Sequence, residues 1–352
     1  MAVTIKDIAK IVGVSAGTVD RALNNRGRIK PEVAQKILRV ADELKYKPNR
    51  FAKSLSNKRK QFKVIFIQHV INNPFIQMIR AGIQKAADEF FPAGVSLSVK
   101  VCKDFNAKEQ LRLLQEAVEV NNADGIIIIP INDPAITDYI SQLHHKDFPV
   151  ILLTSFIESP DYFAFVGCNY QYSGRIASGL INIITGGKGT LLVFVPNQIM
   201  KGNQIRLASM KECLKAYSPT VKIVDVIELP PDDMQAYARC KEVFLHQNRI
   251  DCVLYSSGAS SEGLRAVLEE QEKLQFKLMT HDLSDIVREG LLTNRIIFSI
   301  FQNPQAQGYS SMTLITEYLL LGKKPIQKLN YINTSILIKE SLADIEEQIQ
   351  KF

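Results

Sequence analysis

Arg21 closes the run Ser15-Ala16-Gly17-Thr18-Val19-Asp20-Arg21. An arginine fork matches the two acceptors on a guanine edge, a contact worth roughly 1–3 kcal/mol of discrimination. A phosphate contact, or an intrahelical pair with Asp20, is the other use of the same side chain. Ala16 suits a thymine methyl, and Gly17 permits close approach. Asp20 repels phosphate unless a basic residue such as Arg21 pairs with it. Thr18, Asn24, Asn25, Arg26 and Arg28 have the chemistry of phosphate contacts, which position a protein on DNA without specifying a sequence. Plain solvated surface is an equal reading of each. The local charge fits a polyanion: residues 1–60 hold fifteen Lys/Arg and five Asp/Glu, a net of +10, against +7 for the whole chain. The rest is therefore mildly acidic, and a different task is expected of it.

Other chemistries fare worse. Gly186-Gly187-Lys188-Gly189-Thr190 resembles a phosphate loop, but it precedes a strand and lacks the P-loop spacing, so a turn is expected. His144-His145 and His281-Asp282 lack a third metal ligand at local spacing. The five cysteines are scattered, with no CxxC, and read as reduced thiols. No GxSxG or similar nucleophile motif occurs. No catalytic residue, metal or cofactor is expected.

The elements that must position Arg21 are short helices. Thr4 is a cap for a first helix, with Asp7 at the capping-box position. Ile5, Ile8, Ala9 and Val12 share one face. Gly13 allows a sharp turn, and Ser15 caps a second helix to about Asn24. Small Ala9 lets the helices approach, with Val14 and Val19 between them. Pro31 opens a third helix, whose Val33, Ile37, Val40, Ala41 and Leu44 close the core. This is the helix-turn-helix pattern, whose second helix enters a major groove.

The next segment, Tyr46-Lys-Pro-Asn-Arg-Phe-Ala-Lys-Ser-Leu-Ser-Asn-Lys-Arg59, resembles the hinge of the lactose-repressor/galactose-repressor family. The resemblance spans about the first sixty residues. It implies a hinge helix starting at Pro48-Asn49-Arg50, with Asn49 and Arg50 on DNA. Leu55 matches the leucine wedged between base steps in the minor groove. Such a wedge costs a few kcal/mol of stacking, offset by contacts on the kinked duplex. It also assigns base reading to Ala16, Gly17 and Arg21, with Ser15, Thr18, Asn24, Asn25 and Arg28 at the interface. A recognition helix this sparse leaves the DNA sequence open.

From Phe62 strands and helices alternate. Strands are expected at 62–68, 95–101, 125–130, 149–153, 190–195, 221–227, 252–255 and 276–280, with helices between. Gly125-Ile-Ile-Ile-Ile-Pro130 is continuously apolar, as in a parallel strand covered on both faces. Two successive α/β units imply two doubly wound lobes, with ligands bound at the carboxyl ends of the strands. Over about residues 62–340 this resembles the periplasmic-sugar-binding-protein fold that serves as effector domain in the same family. Crossings between lobes are expected near 163–168, 291–298 and 322–330. The expected organisation is 1–47 helix-turn-helix, 48–60 hinge, 61–165 plus about 295–323 first lobe, and 166–294 plus about 324–352 second lobe.

The resemblance also assigns a cleft. Asn73 and Phe75, in Asn72-Asn73-Pro74-Phe75, match an Asn-Pro-Phe motif that bonds sugar hydroxyls and stacks on the sugar face. Arg206 matches an arginine that forks onto ligand oxygens. Asp282 matches a hydroxyl-accepting carboxylate, and Gln302 another ligand position. A turn with a core ring, a surface arginine and structural polar groups are the bland readings of these. Thr154-Ser155 stand where ribose-type proteins carry Asp-Arg, and Ser257 where Asn is usual. A sugar, polyol, modified sugar or sugar phosphate all stay open as ligand. The overall expectation is a cytoplasmic homodimer, since no signal peptide opens the chain and the helix 342–352 is too short for a tetramerising coiled coil. It would regulate transcription by linkage between effector and a pseudo-palindromic operator, and the family resemblance favours repression. A solute-binding protein and a sugar-active enzyme are the alternatives.

Overall fold

The computed structural model describes residues 5–23, 29–44, 61–69, 74–103, 105–196, 200–246, 249–256 and 260–351. Thr4, Asn24, Asn25, Arg26, Arg28, Asn49, Arg50, Leu55, Asn73 and Ser257 lie outside them. The chain folds as two compact units, Met1–Arg59 and Lys60–Phe352.

The first unit packs α1 (Ile5–Val12), α2 (Ala16–Leu23) and α3 (Pro31–Glu43) around Ile8, Ala9, Val12, Val19, Ile37, Val40 and Ala41. Gly13 takes φ +79°, a region that disfavours a side chain. From there the Gly13 and Val14 amides both donate to the Ala9 carbonyl, at 2.9 and 3.0 Å, closing α1. The Thr18 amide then donates to Ser15 Oγ at 3.1 Å, opening α2. These two adjacent devices fix the turn that aims α2.

The second unit runs β1 (Phe62–His69), α4 (Pro74–Phe90), β2 (Val95–Cys102), α5 (Ala107–Glu119), β3 (Gly125–Ile128), α6 (Pro134–His145), β4 (Val150–Leu153) and β5 (Ala164–Gly167). It continues through α7 (Tyr170–Thr185), β6 (Lys188–Val195), α8 (Lys201–Tyr217), β7 (Thr220–Glu228), α9 (Asp233–Leu245), β8 (Cys252–Tyr255), α10 (Ser261–Leu274), β9 (Lys277–His281) and α11 (Asp285–Leu292). The last elements are β10 (Ile296–Phe301), α12 (Pro304–Leu321), β11 (Leu329–Tyr331), β12 (Ser335–Leu337) and α13 (Leu342–Lys351). They form two six-stranded sheets, ordered β11-β5-β4-β3-β1-β2 and β12-β10-β9-β8-β6-β7. Every pairing is parallel except β10 with β12. β3 and β4 are buried along their whole length, as their unbroken apolar sequence requires.

The first crossing follows β5, beside its expected place, whereas the second and third lie later in the chain than expected. β10 pairs in parallel with β9, so Ile296–Phe301 belongs to the second lobe. The chain returns to the first lobe only at Gln302-Asn303, through α12. It crosses again between β11, which pairs with β5, and β12, which pairs with β10. Among the described residues, the first lobe thus draws on the ranges 62–167 and 304–331, and the second on 170–301 and 335–351. β10 is apolar enough for either sheet, and the choice is made by the Leu278, Met279, Thr280 and His281 edge it pairs with. The glycine run at 186–190 is a turn: Gly186 ends α7 in the left-handed region, and β6 begins at Lys188.

Candidate functional site

In the first unit, Ser15, Ala16, Gly17 and Arg21 are exposed on or beside α2, and Thr18 is half-buried. The Ser15 and Thr18 hydroxyls lie 2.9 Å apart, so each is already engaged by the cap. Arg21 Nε donates to the Gly17 carbonyl at 3.1 Å, holding the guanidinium along the helix. A side chain at Gly17 would reach towards that guanidinium, with its Cβ 3.9 Å from an Arg21 terminal nitrogen.

In the second unit the carboxyl ends of the strands face one another between the lobes. Thr154-Ser155 follow β4, Asp282 follows β9, Gln302 follows β10, and Arg206 projects from α8. All five are buried. Gln302 Nε2 donates to Asp282 Oδ2 at 2.8 Å, and the Gln302 amide nitrogen faces Asp282 Oδ1 at 3.4 Å. Its Oε1 accepts from Arg206 and from the Cys168 thiol, the latter at 3.0 Å. Arg206, Gln302 and Asp282 therefore form one chain, with Gln302 on a crossing segment in the middle. Phe75, in the first turn of α4, meets Ser260, His281, Asp282 and Ser284 around a recess of about 10 Å³. That is space for about one water. Across the cleft the polar groups mostly satisfy each other, and a ligand would have to replace those bonds.

Several atoms are left over. Among the described residues, Arg206 Nε, Ser155 Oγ and His281 Nδ1 are buried without a partner. Buried polar groups normally find partners; these are three of twelve unpartnered side-chain atoms among the described residues. Thr154, Asp282 and Asn303 hold φ of +60°, +64° and +51°. Such conformations cost on the order of 1–3 kcal/mol for residues other than glycine, and they cluster at functional sites.

Burial dominates the electrostatics. It pushes the Asp282 carboxyl up to about 6, against the opposing pull of Arg206 and of the Gln302 hydrogen bonds. It pushes the Cys168 thiol up to about 11, so that thiol stays a protonated donor to Gln302. His281 is held well below its ordinary value by burial and then by Arg206, which keeps its ring neutral. Among the described residues, Arg206 and Asp282 are the only buried arginine or lysine and the only buried carboxylate. Their formal charges cancel.

Cys168, Tyr170 and His281 also belong to this cluster, although no motif in the sequence points to them. Cys168 and Tyr170 sit at the first crossing, where no helical or strand periodicity carries a signal. His281 is visible in the sequence beside Asp282, but only as a pair that lacks a third metal ligand.

An α/β domain of two parallel-sheet lobes with a polar, partly unsatisfied cleft, preceded by a helix-turn-helix, defines a ligand-responsive DNA-binding regulator. The family described as periplasmic binding protein domain matches residues 64–324. The family described as bacterial regulatory proteins, lacI family, matches residues 4–49. The chain belongs to the lacI family of regulators, with a periplasmic-binding-protein-like domain. Similar relatives include the ribose operon repressor of Lactococcus lactis, 25% identical over 92% of this chain and 93% of its own. Another is the HTH-type transcriptional regulator MalR of Streptococcus pneumoniae, 25% identical over 75% of this chain and 79% of its own. In fold, the chain is similar to a Bacillus halodurans solute-binding protein with bound myo-inositol. The TM-score is 0.72 at 15% identity, over 84% of this chain and 100% of that one.

Proposed function

We propose that this regulator is a homodimeric repressor that reads a pseudo-palindromic operator and senses a neutral, polyhydroxylated ligand between its lobes. The observation that carries the ligand class is the cancelled charge of Arg206 and Asp282 in a cleft with orphaned donors. A forked donor beside a carboxylate suits neighbouring hydroxyls, and the Phe75 ring offers an apolar face to a sugar or cyclitol. A phosphate would bring two charges to a site with one buried guanidinium, an expensive imbalance in a desolvated cleft. Asn73 and Ser257 join this site by family position, as do Thr154 and Ser155.

DNA binding rests on Arg21 reading bases with Ala16 and Gly17. Ser15, Thr18, Asn24, Asn25, Arg28, Asn49 and Arg50 would supply positioning contacts, and Leu55 the minor-groove wedge. Effector and operator act on each other by linkage: a ligand that favours one lobe arrangement changes operator affinity, and operator changes ligand affinity by the same factor. A dimer rather than a tetramer fits α13. Its ten residues turn Leu342 and Ile345 into the second lobe's core, so that face is taken. A cytoplasmic site follows from the DNA partner; no helix among the described residues is long and apolar enough to cross a membrane. No catalytic role is assigned to the cleft, and an assay for turnover of candidate sugars would expose one. A thermal-shift screen with neutral sugars and polyols against their phosphates tests the ligand class. Stabilisation by phosphates alone would overturn it.

A further inference from the structure

Tyr170 is the first residue of α7, directly after the first crossing, and it is buried. Its ring lies under the Arg206 guanidinium, with the guanidinium carbon 4.9 Å from the ring centre. Its hydroxyl donates to the Thr154 carbonyl. Arg206 belongs to the second lobe and Thr154 to the first, so one side chain touches both. Thr154 is also the β-branched residue held at φ +60°, a backbone state that needs outside support. The packing around the ring is close. A Cβ on Gly202 would sit 2.6 Å from two of its ring carbons, so α8 carries no side chain where it passes Tyr170. Burial raises the Tyr170 phenol well above its ordinary range, which keeps the hydroxyl a donor.

We infer that Tyr170 is a positioning residue: its ring orients Arg206 for the cleft, and its hydroxyl ties that orientation to Thr154 in the first lobe. The inference deepens the effector reading of the cleft and rests on it. Its physical content is a coupling. The ring restricts the guanidinium through stacking and a cation–π contact. The hydroxyl then makes closing of the lobes and placement of Arg206 parts of one event. A ligand that engages Arg206 would thereby act through Tyr170 on the Thr154 backbone as well.

Two substitutions in the full-length protein separate the two parts. Tyr170→Phe keeps the ring and removes the hydroxyl; Tyr170→Leu removes both. Hydrogen exchange, read without any ligand, should show peptides spanning 154–163 exchanging roughly tenfold faster in Tyr170→Phe, with β1 and β3 unchanged. Labelling by phenylglyoxal, mapped by mass spectrometry and scaled to exposed Arg249, should rise roughly tenfold at Arg206 in Tyr170→Leu. It should rise much less in Tyr170→Phe, where the ring is retained. Exchange that is unchanged, or faster everywhere alike, would overturn the link to Thr154. Equal Arg206 labelling in wild type and Tyr170→Leu would overturn the orienting role. Both readouts need no effector, so failure of every polyol to bind would remove the effector reading while leaving these results intact.

Discussion

Asp282 combines a left-handed backbone, full burial and a carboxyl pushed up to about 6. A carboxyl with a raised folded-state pKa disfavours the folded state as it ionises. The penalty is absent below the ordinary aspartate range, grows as pH rises through about 6, and is full above it. Asp282→Asn should therefore raise the melting temperature at pH 7.5 by several degrees, from roughly 1–3 kcal/mol, and change it little at pH 3.5. An equal gain at both pH values would show that burial of the charge is not the cause. The same substitution should weaken effector binding, since the hydroxyl acceptor is lost. Arg206→Ala should abolish the effector response and leave a folded protein that still binds DNA. A retained response, followed by operator affinity with and without ligand, would remove Arg206 from the site.

Elements differ in how far their sequence reveals them. The helix-turn-helix was legible because Gly13, Ser15 and Pro31 each have one structural use at a helix end, and the core positions between them keep a helical period. Gly125-Ile-Ile-Ile-Ile-Pro130 was legible for a similar reason, since only a doubly covered strand tolerates it. β10 was legible as a strand but not by lobe. Its apolar residues suit either sheet, and the decision lies in pairing with β9, which is remote in sequence. α12 is apolar on much of its surface and packs against α4 and first-lobe strands, so it shows no one-sided pattern to read. Within the cleft, Arg206, Asp282 and Gln302 were reached through family motifs. Tyr170 was not, because its role depends on two partners from different lobes. For the hinge segment, Leu55→Ala should weaken specific operator binding far more than nonspecific binding, as judged by titrations at matched salt. Equal losses would remove the wedge.

At the scale of the whole molecule, the chain joins a basic reader to a cleft whose lobes are linked by buried polar groups. Sedimentation should give a dimer; a stable tetramer would contradict the packing of α13 against its own lobe. On the proposed function, a neutral polyhydroxylated ligand binds this cleft through Arg206 and Asp282. Thermal unfolding of wild-type and Arg206→Ala protein across matched neutral polyols and their phosphates tests it most directly. A ligand at a hundred times its Kd stabilises the folded state by about 2.7 kcal/mol, well within reach of such a measurement. At least one neutral sugar or cyclitol should raise the melting temperature of the wild type and leave Arg206→Ala unmoved. Stabilisation by phosphates alone, or an equal shift in both proteins, would contradict it.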